Sequence, residues 1–227
     1  MAAGAQGARA VDRARPAAHG AASVMAPTVA KARLGPRPAV AGTLVEAARS
    51  LMWETGGPVF TVTQVVAAAG TSLKGFYRCF ASKDELLVAL FADDARRGAE
   101  ALAASVAGAG SPVDRVRRAV VGLFDFLAVD GRLPYAATLV REHLRLAESH
   151  PDELRGVLEP FVCIFRLALV EAAATGDLAV GDAAKTARTL FHLVVSHVHA
   201  VICHQIEQDP VEVGAEVWAF CAAALRP

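Results

Sequence analysis

Two short helical patterns separated by a single Gly70 run from Thr61 to Lys83, TVTQVVAAAGTSLKGFYRCFASK, and leave this chain few folds to choose from. Thr61 followed three residues later by Gln64 is a capping box that opens the first helix. Its interior places Val62, Val65, Val66 and Ala69 on an apolar face. The bend that follows needs positive φ, which Gly70 adopts without a Cβ penalty. Thr71 and Ser72 then open a second helix in which Phe76 and Phe80 anchor, while Lys74, Tyr77 and Arg78 lie around the remaining surface. Ser82 and Glu85 form a further S-x-x-E capping box at the start of a longer helix, whose free backbone amides suit a phosphate. A helix-turn-helix is the expected unit.

With the helix before it, this window resembles the DNA-binding domain of the TetR family of transcriptional repressors. The resemblance rests on AARSLMWETGG from 47 to 57, Thr61, the Ala69-Gly70 turn, Tyr77 with Phe80, and the run Ser82-Lys83-Asp84-Glu85-Leu86. It implies that Thr63, Tyr77 and Lys83 hold phosphates, while Thr71, Ser72, Leu73, Lys74 and Gly75 face base edges, flanked by Thr61 and Arg78. Lys74 suits a guanine edge and Leu73 a thymine methyl. The recognition segment departs from the family pattern: its basic residue stands one position later, and Gly75 weakens the helix by about 0.8–1.0 kcal/mol relative to alanine. Met52 stands where Phe is common and Val66 where Ala is usual.

Charge is informative only when divided along the chain. The 23 basic and 23 acidic residues cancel overall, but residues 1–91 hold ten Lys or Arg against five acids. Most of that excess sits in an Ala, Gly and Pro-rich stretch carrying Arg9, Arg13, Arg15, Lys31, Arg33 and Arg37, without apolar periodicity. Residues 1–38 are therefore expected to be a disordered basic arm, serving either as a solubilising tail or as a source of salt-dependent phosphate contacts. Met25 is an alternative start.

Beyond Ser82 every pattern is helical, so the expected fold class is all-α, with about nine helices. Residues 39–85 form the DNA-reading domain and 86–227 a helical effector-binding and dimerisation domain. Helices are predicted over 83–106, from Pro112 through Leu127, and over 133–148, 152–174, 182–207 and 210–225, with Asp114 at the third position of the helix that Ser111 caps. The last two helices carry apolar residues on more than one side. The family resemblance implies two-fold pairing through them, and the interface is expected at His197, His204, Val213, Val217, Trp218 and Phe220. Two recognition helices about 34–36 Å apart would then read a palindromic duplex.

The same resemblance implies an effector held in the second domain. Candidate lining residues are Phe124, Leu127, His143, Phe161, Phe165, His192 and His199, a few imidazoles among apolar groups, which suits a small hydrophobic or aromatic molecule. Core packing accounts for any one of them as well. A metal site is not expected: His192 and His199 are about 10.5 Å apart along a helix axis, too far to share one zinc ion with bonds of about 2.0–2.3 Å.

No cofactor is expected either, and the chain lacks the G-x-S-x-G, Gly-rich phosphate-loop and H-E-x-x-H signatures of common enzymes. Cys79, Cys163, Cys203 and Cys221 are widely spaced, and no apolar run reaches the ~18 residues of a membrane span, which points to a reducing cytoplasm. The reading is an effector-released repressor. A helix-turn-helix activator, a ligand-independent regulator, and a ligand-binding helical module without DNA recognition are the alternatives.

Overall fold

The computed structural model describes residues 38–129 and 131–226. The expected basic arm lies outside the described residues except for its last position. Among those described there are ten helical segments and no strand: α1 Pro38–Thr55, α2 Val62–Ala68, α3 Leu73–Tyr77, α4 Lys83–Ala107, α5 Pro112–Leu127, α6 Arg132–Ser149, α7 Pro151–Leu154, α8 Glu159–Ala174, α9 Ala183–Ile202 and α10 Pro210–Ala224. The all-α expectation holds, and no described helix is long and apolar enough to cross a membrane.

Two apolar cores are strung on one long helix. The first gathers Leu44, Ala48 and Met52 of α1, Val65 and Val66 of α2, Phe76 and Phe80 around α3, and Leu86, Leu87 and Leu90 of α4. Met52 is almost wholly enclosed in this core. The second core joins Ala99 and Leu102 of α4 to Val116, Val120 and Phe124 of α5, Phe165 and Leu169 of α8, Phe191 and Val194 of α9, and Val213, Val217 and Cys221 of α10. Tyr135 and Leu146 of α6 belong to the first core, so α6 bears directly on the N-terminal head formed by α1–α3 and the start of α4.

Three boundaries differ from expectation. The predicted helix over 152–174 is broken: Gly156 adopts φ +77, and α8 restarts with Pro160 in its first turn. A left-handed glycine followed by a proline stops one helix and starts the next. The helix predicted to reach 207 ends at Ile202, because His204 takes a left-handed φ of +53. At α4 the capping box is only half formed, since Ser82 accepts the Glu85 amide at 3.1 Å while the Glu85 carboxylate reaches back to the Ala81 amide at 2.7 Å. By contrast, the complete boxes at Thr61–Gln64 and Ser111–Asp114 form.

Candidate nucleic-acid interface

The recognition segment is built from caps and one anchor. Thr61 accepts the Gln64 amide and Gln64 returns the contact to the Thr61 amide at 2.7 Å, which fixes the start of α2. Gly70 sits at φ +60 in the turn, as its position requires. Ser72 then caps α3 by accepting the Gly75 amide at 3.1 Å. Phe76 is fully enclosed at 0% exposure and packs on Phe80 at 5.8 Å and edge-on to Tyr77 at 5.2 Å.

That anchor turns the rest of α3 outward. Leu73 is 47% and Tyr77 59% exposed, and Ser72, Lys74 and Arg78 are exposed beside them. Thr61 and Thr63 are exposed on the neighbouring helix start, whereas Thr71 and Gly75 are half-buried. A Cβ on Gly75 would fall 2.5 Å from the Thr71 hydroxyl. Glycine therefore gives Thr71 its place over the helix start as well as a low backbone profile. An exposed leucine costs apolar hydration in the free protein, and its position on the head's outer face suits a base methyl.

Lys83 is placed differently from its expected role. Its ammonium donates to the carbonyls of Pro58 and, at 2.7 Å, Phe60, and lies 4.6 Å from the centre of the Phe60 ring. Burial pushes its pKa below the ordinary lysine value, against the nearby Glu142 and Asp84 charges. The side chain braces the α1–α2 segment rather than presenting a charge to a phosphate. Sequence spacing gave no sign of this, because the acceptors are backbone atoms 23 and 25 residues away.

Behind the interface, α1 is riveted to α4. Arg49 donates to Asp94 at 2.7 Å, to Asp93 at 2.6 Å and to Glu46, while Arg97 spans Asp93 and Glu46 at 2.8 and 3.0 Å. The Arg49 guanidinium lies well above its ordinary pKa despite partial burial, since three carboxylates surround it. From α6, Tyr135 donates to the second Asp94 oxygen at 2.5 Å, and Arg145 grips Asp84 at 2.8 and 3.0 Å. Sequence reasoning missed this network, whose helix-to-helix partners lie 41 to 61 residues apart.

The expected effector residues are not brought together. Phe124, Leu127, Phe161 and Phe165 fill the second core, with Phe161 and Phe165 each 6.0 Å from Phe191, while His192 is exposed. These five form no common lining. His143 and His199 are half-buried on α6 and α9, and His143 stacks on Phe91 at 4.5 Å. Burial pushes both imidazoles below the ordinary histidine pKa, and the nearby His199 charge pushes His143 further.

Surface grooves among the described residues lie elsewhere. One, of about 420 Å³, lies between α5 and α10 beside Arg117, Arg118, Asp125 and Val211; the other, of about 280 Å³, is lined by Val106, Ile164 and Leu167. The dimer expectation is corrected in part: Val213 and Val217 are enclosed in the chain's own core, since they share the inward face of α10 with Gly214 and Cys221. Phe220 and His204 are exposed, and His197 and Trp218 are half-buried.

Comparison with known proteins agrees with this architecture. Residues 44–90 match the model of bacterial regulatory proteins of the tetR family. No curated protein sequence matches the chain. Among solved structures, the transcriptional regulator FadR from Bacillus subtilis, in complex with stearoyl-CoA, shares 18% identity at a TM-score of 0.63, over 82% of this chain and 99% of that one. Reduced NemR from E. coli shares 17% at 0.61, over 83% and 99%. RolR in complex with resorcinol shares 17% at 0.61, over 82% and 87%. These likenesses are of fold. Residues 44–90 thus carry a helix-turn-helix domain of the kind found in the tetR family of bacterial regulatory proteins, and the chain shares the all-helical fold of these solved structures.

Proposed function

We propose that this chain is a homodimeric cytoplasmic repressor that binds palindromic DNA through α3 and is released by a small effector. The observation that carries the reading is the orientation of α3: Phe76 is fully enclosed while Leu73, Lys74, Tyr77 and Arg78 face outward. Such a face has little to do in an isolated helical bundle and suits a major groove. Thr63, Tyr77 and Arg78 position the backbone; Thr71, Ser72, Leu73, Lys74 and Gly75 meet base edges. Pairing is supported by the outer face of α10, where Val211, Ala215, Ala219 and Phe220 are exposed.

An effector role is supported by the FadR and RolR complexes, which hold stearoyl-CoA and resorcinol. The α4–α6–α9 seam with Phe91, His143 and His199 is the part of this chain that combines an aromatic face with desolvated imidazoles, and we assign the effector there. An effector acts by favouring one spacing of the two heads over another. The test is fluorescence anisotropy with intergenic DNA flanking the gene at two salt concentrations, followed by a compound screen for release. Saturable binding that weakens with salt supports the reading; no preference for any fragment over random duplex would overturn it.

A further inference from the structure

We propose that Thr138 and Tyr135, adjacent on one face of α6, are positioning residues for the DNA-reading head: they fix the segment between α1 and α2, and through it the presentation of Leu73 and Lys74. The inference rests on the DNA-reading role above and adds a named route from α6 to the head.

Thr138 is the polar residue enclosed most completely among the described residues, at 1% exposure, and a buried hydroxyl must find partners. It finds two. The hydroxyl donates to the Gly56 carbonyl at 2.7 Å and accepts from Arg141 at 3.3 Å. Gly56 is the first residue past α1 and sits at φ +66, so its carbonyl direction is set by a backbone state that other residues resist.

The rest of the segment is held from the opposite side. Lys83 grips the Pro58 and Phe60 carbonyls, and the next residue, Thr61, caps α2. Residues 56–60 are therefore clamped between the start of α4 and the middle of α6.

Tyr135 lies three residues earlier on the same face of α6. Its hydroxyl reaches Asp94 at 2.5 Å, the opposite oxygen of that carboxylate takes Arg49 of α1, and its ring rests 5.3 Å from Trp53 near the end of α1. Hydrogen bonds weaken steeply outside their usual range, so a displacement of α6 by about 1 Å weakens both attachments together. Any event that moves α6 is thus felt at the segment that leads into the helix-turn-helix.

Hydrogen–deuterium exchange on the full chain without DNA tests the clamp. In Thr138→Val, which keeps shape and loses the donor, amides from 57 to 77 are expected to exchange about tenfold faster, with α8 and α9 unchanged. Tyr135→Phe should act in the same direction, and Thr138→Ser should return the pattern to that of the unsubstituted protein. Uniform acceleration throughout the chain, or none in the head, overturns the proposal.

The second readout is affinity for the intergenic DNA flanking the gene, expected to fall about tenfold in Thr138→Val and to recover in Thr138→Ser. Unchanged affinity with a loosened head also overturns the proposal. If the unsubstituted chain binds no DNA, the DNA-reading role itself fails, while the exchange pattern still decides whether the clamp exists.

Discussion

The Ser72 hydroxyl accepts the Gly75 amide at 3.1 Å, and this contact closes the first turn of a recognition helix only five residues long. A helix so short cannot sustain itself, because nucleation costs more than its few hydrogen bonds return. It persists because of the cap at one end and Phe76 at the other. Ser72→Ala should cost about 1 kcal/mol of stability and fray the turn that carries Leu73 and Lys74. Ser72→Asp should restore thermal stability through an equivalent cap, yet bind DNA poorly because a carboxylate then faces the phosphates. Thermal melts paired with anisotropy titrations check both; equal recovery of stability and affinity in Ser72→Asp would place Ser72 away from DNA.

Salt dependence separates the two lysines of the head. Each phosphate contact contributes about 0.9 to the slope of log affinity against log salt. Lys74 is exposed and has no carboxylate partner among the described residues, whereas the Lys83 ammonium is taken up by two carbonyls. Lys74→Ala is expected to flatten the slope or relax preference at one base position. Lys83→Met should leave the slope unchanged and instead lower stability by about 1 kcal/mol, because the Pro58 and Phe60 carbonyls lose their donor. A slope reduced by about one in Lys83→Met would restore the phosphate role that its position at the start of α4 suggests.

The contrast between these lysines shows what was legible in the sequence. Thr61 with Gln64, Gly70 and Phe76 act within a few residues of themselves, so local spacing alone specifies cap, turn and anchor. The destination of Lys83, the Thr138–Gly56 contact and the Arg49–Asp94–Tyr135 chain join residues tens of positions apart, and no local pattern encodes them. The same limit applied to α10: periodicity identified two apolar faces, but which one turns inward was decided by α5, where Phe124 meets Gly214 so closely that an added Cβ would come within 3.0 Å. Phe124 and Phe165 illustrate the matching difficulty in the body, since an aromatic in a packed core and one lining a ligand site have the same sequence signature.

Acid should destabilise the body through its two half-buried imidazoles. The pKa values of His143 and His199 are lowered in the folded chain, first by burial, so the unfolded chain binds protons more readily. For groups depressed in this way, stability is complete above the unfolded value of about 6.5 and is lost as pH falls toward the folded values. Melting temperature should therefore decline between about pH 7 and pH 5. The double variant His143→Gln, His199→Gln should flatten that decline, and an identical pH profile in the double variant would exclude the pair as its source.

If the proposed dimer forms through the outward face of α10, pairing and folding are separable there. Val217 is enclosed in the chain's own core, so Val217→Ala removes packing from within and should cost about 2 kcal/mol without a specific effect on association. Phe220 is 67% exposed on the same helix, and burying a phenyl group against a second copy would contribute about 1.5–3 kcal/mol. Phe220→Glu replaces that gain with the burial of an unpaired charge, which strongly disfavours the dimer while leaving the monomer's core intact. Sedimentation velocity should show the variant as a folded monomer at micromolar concentration, with an unchanged helical circular dichroism spectrum. DNA affinity should collapse with it, because a single five-residue helix cannot engage two half-sites about 34–36 Å apart. If Phe220→Glu remains dimeric, the pairing surface lies elsewhere; if it is monomeric and still binds a palindrome as tightly, one head is sufficient and the two-fold reading of DNA fails.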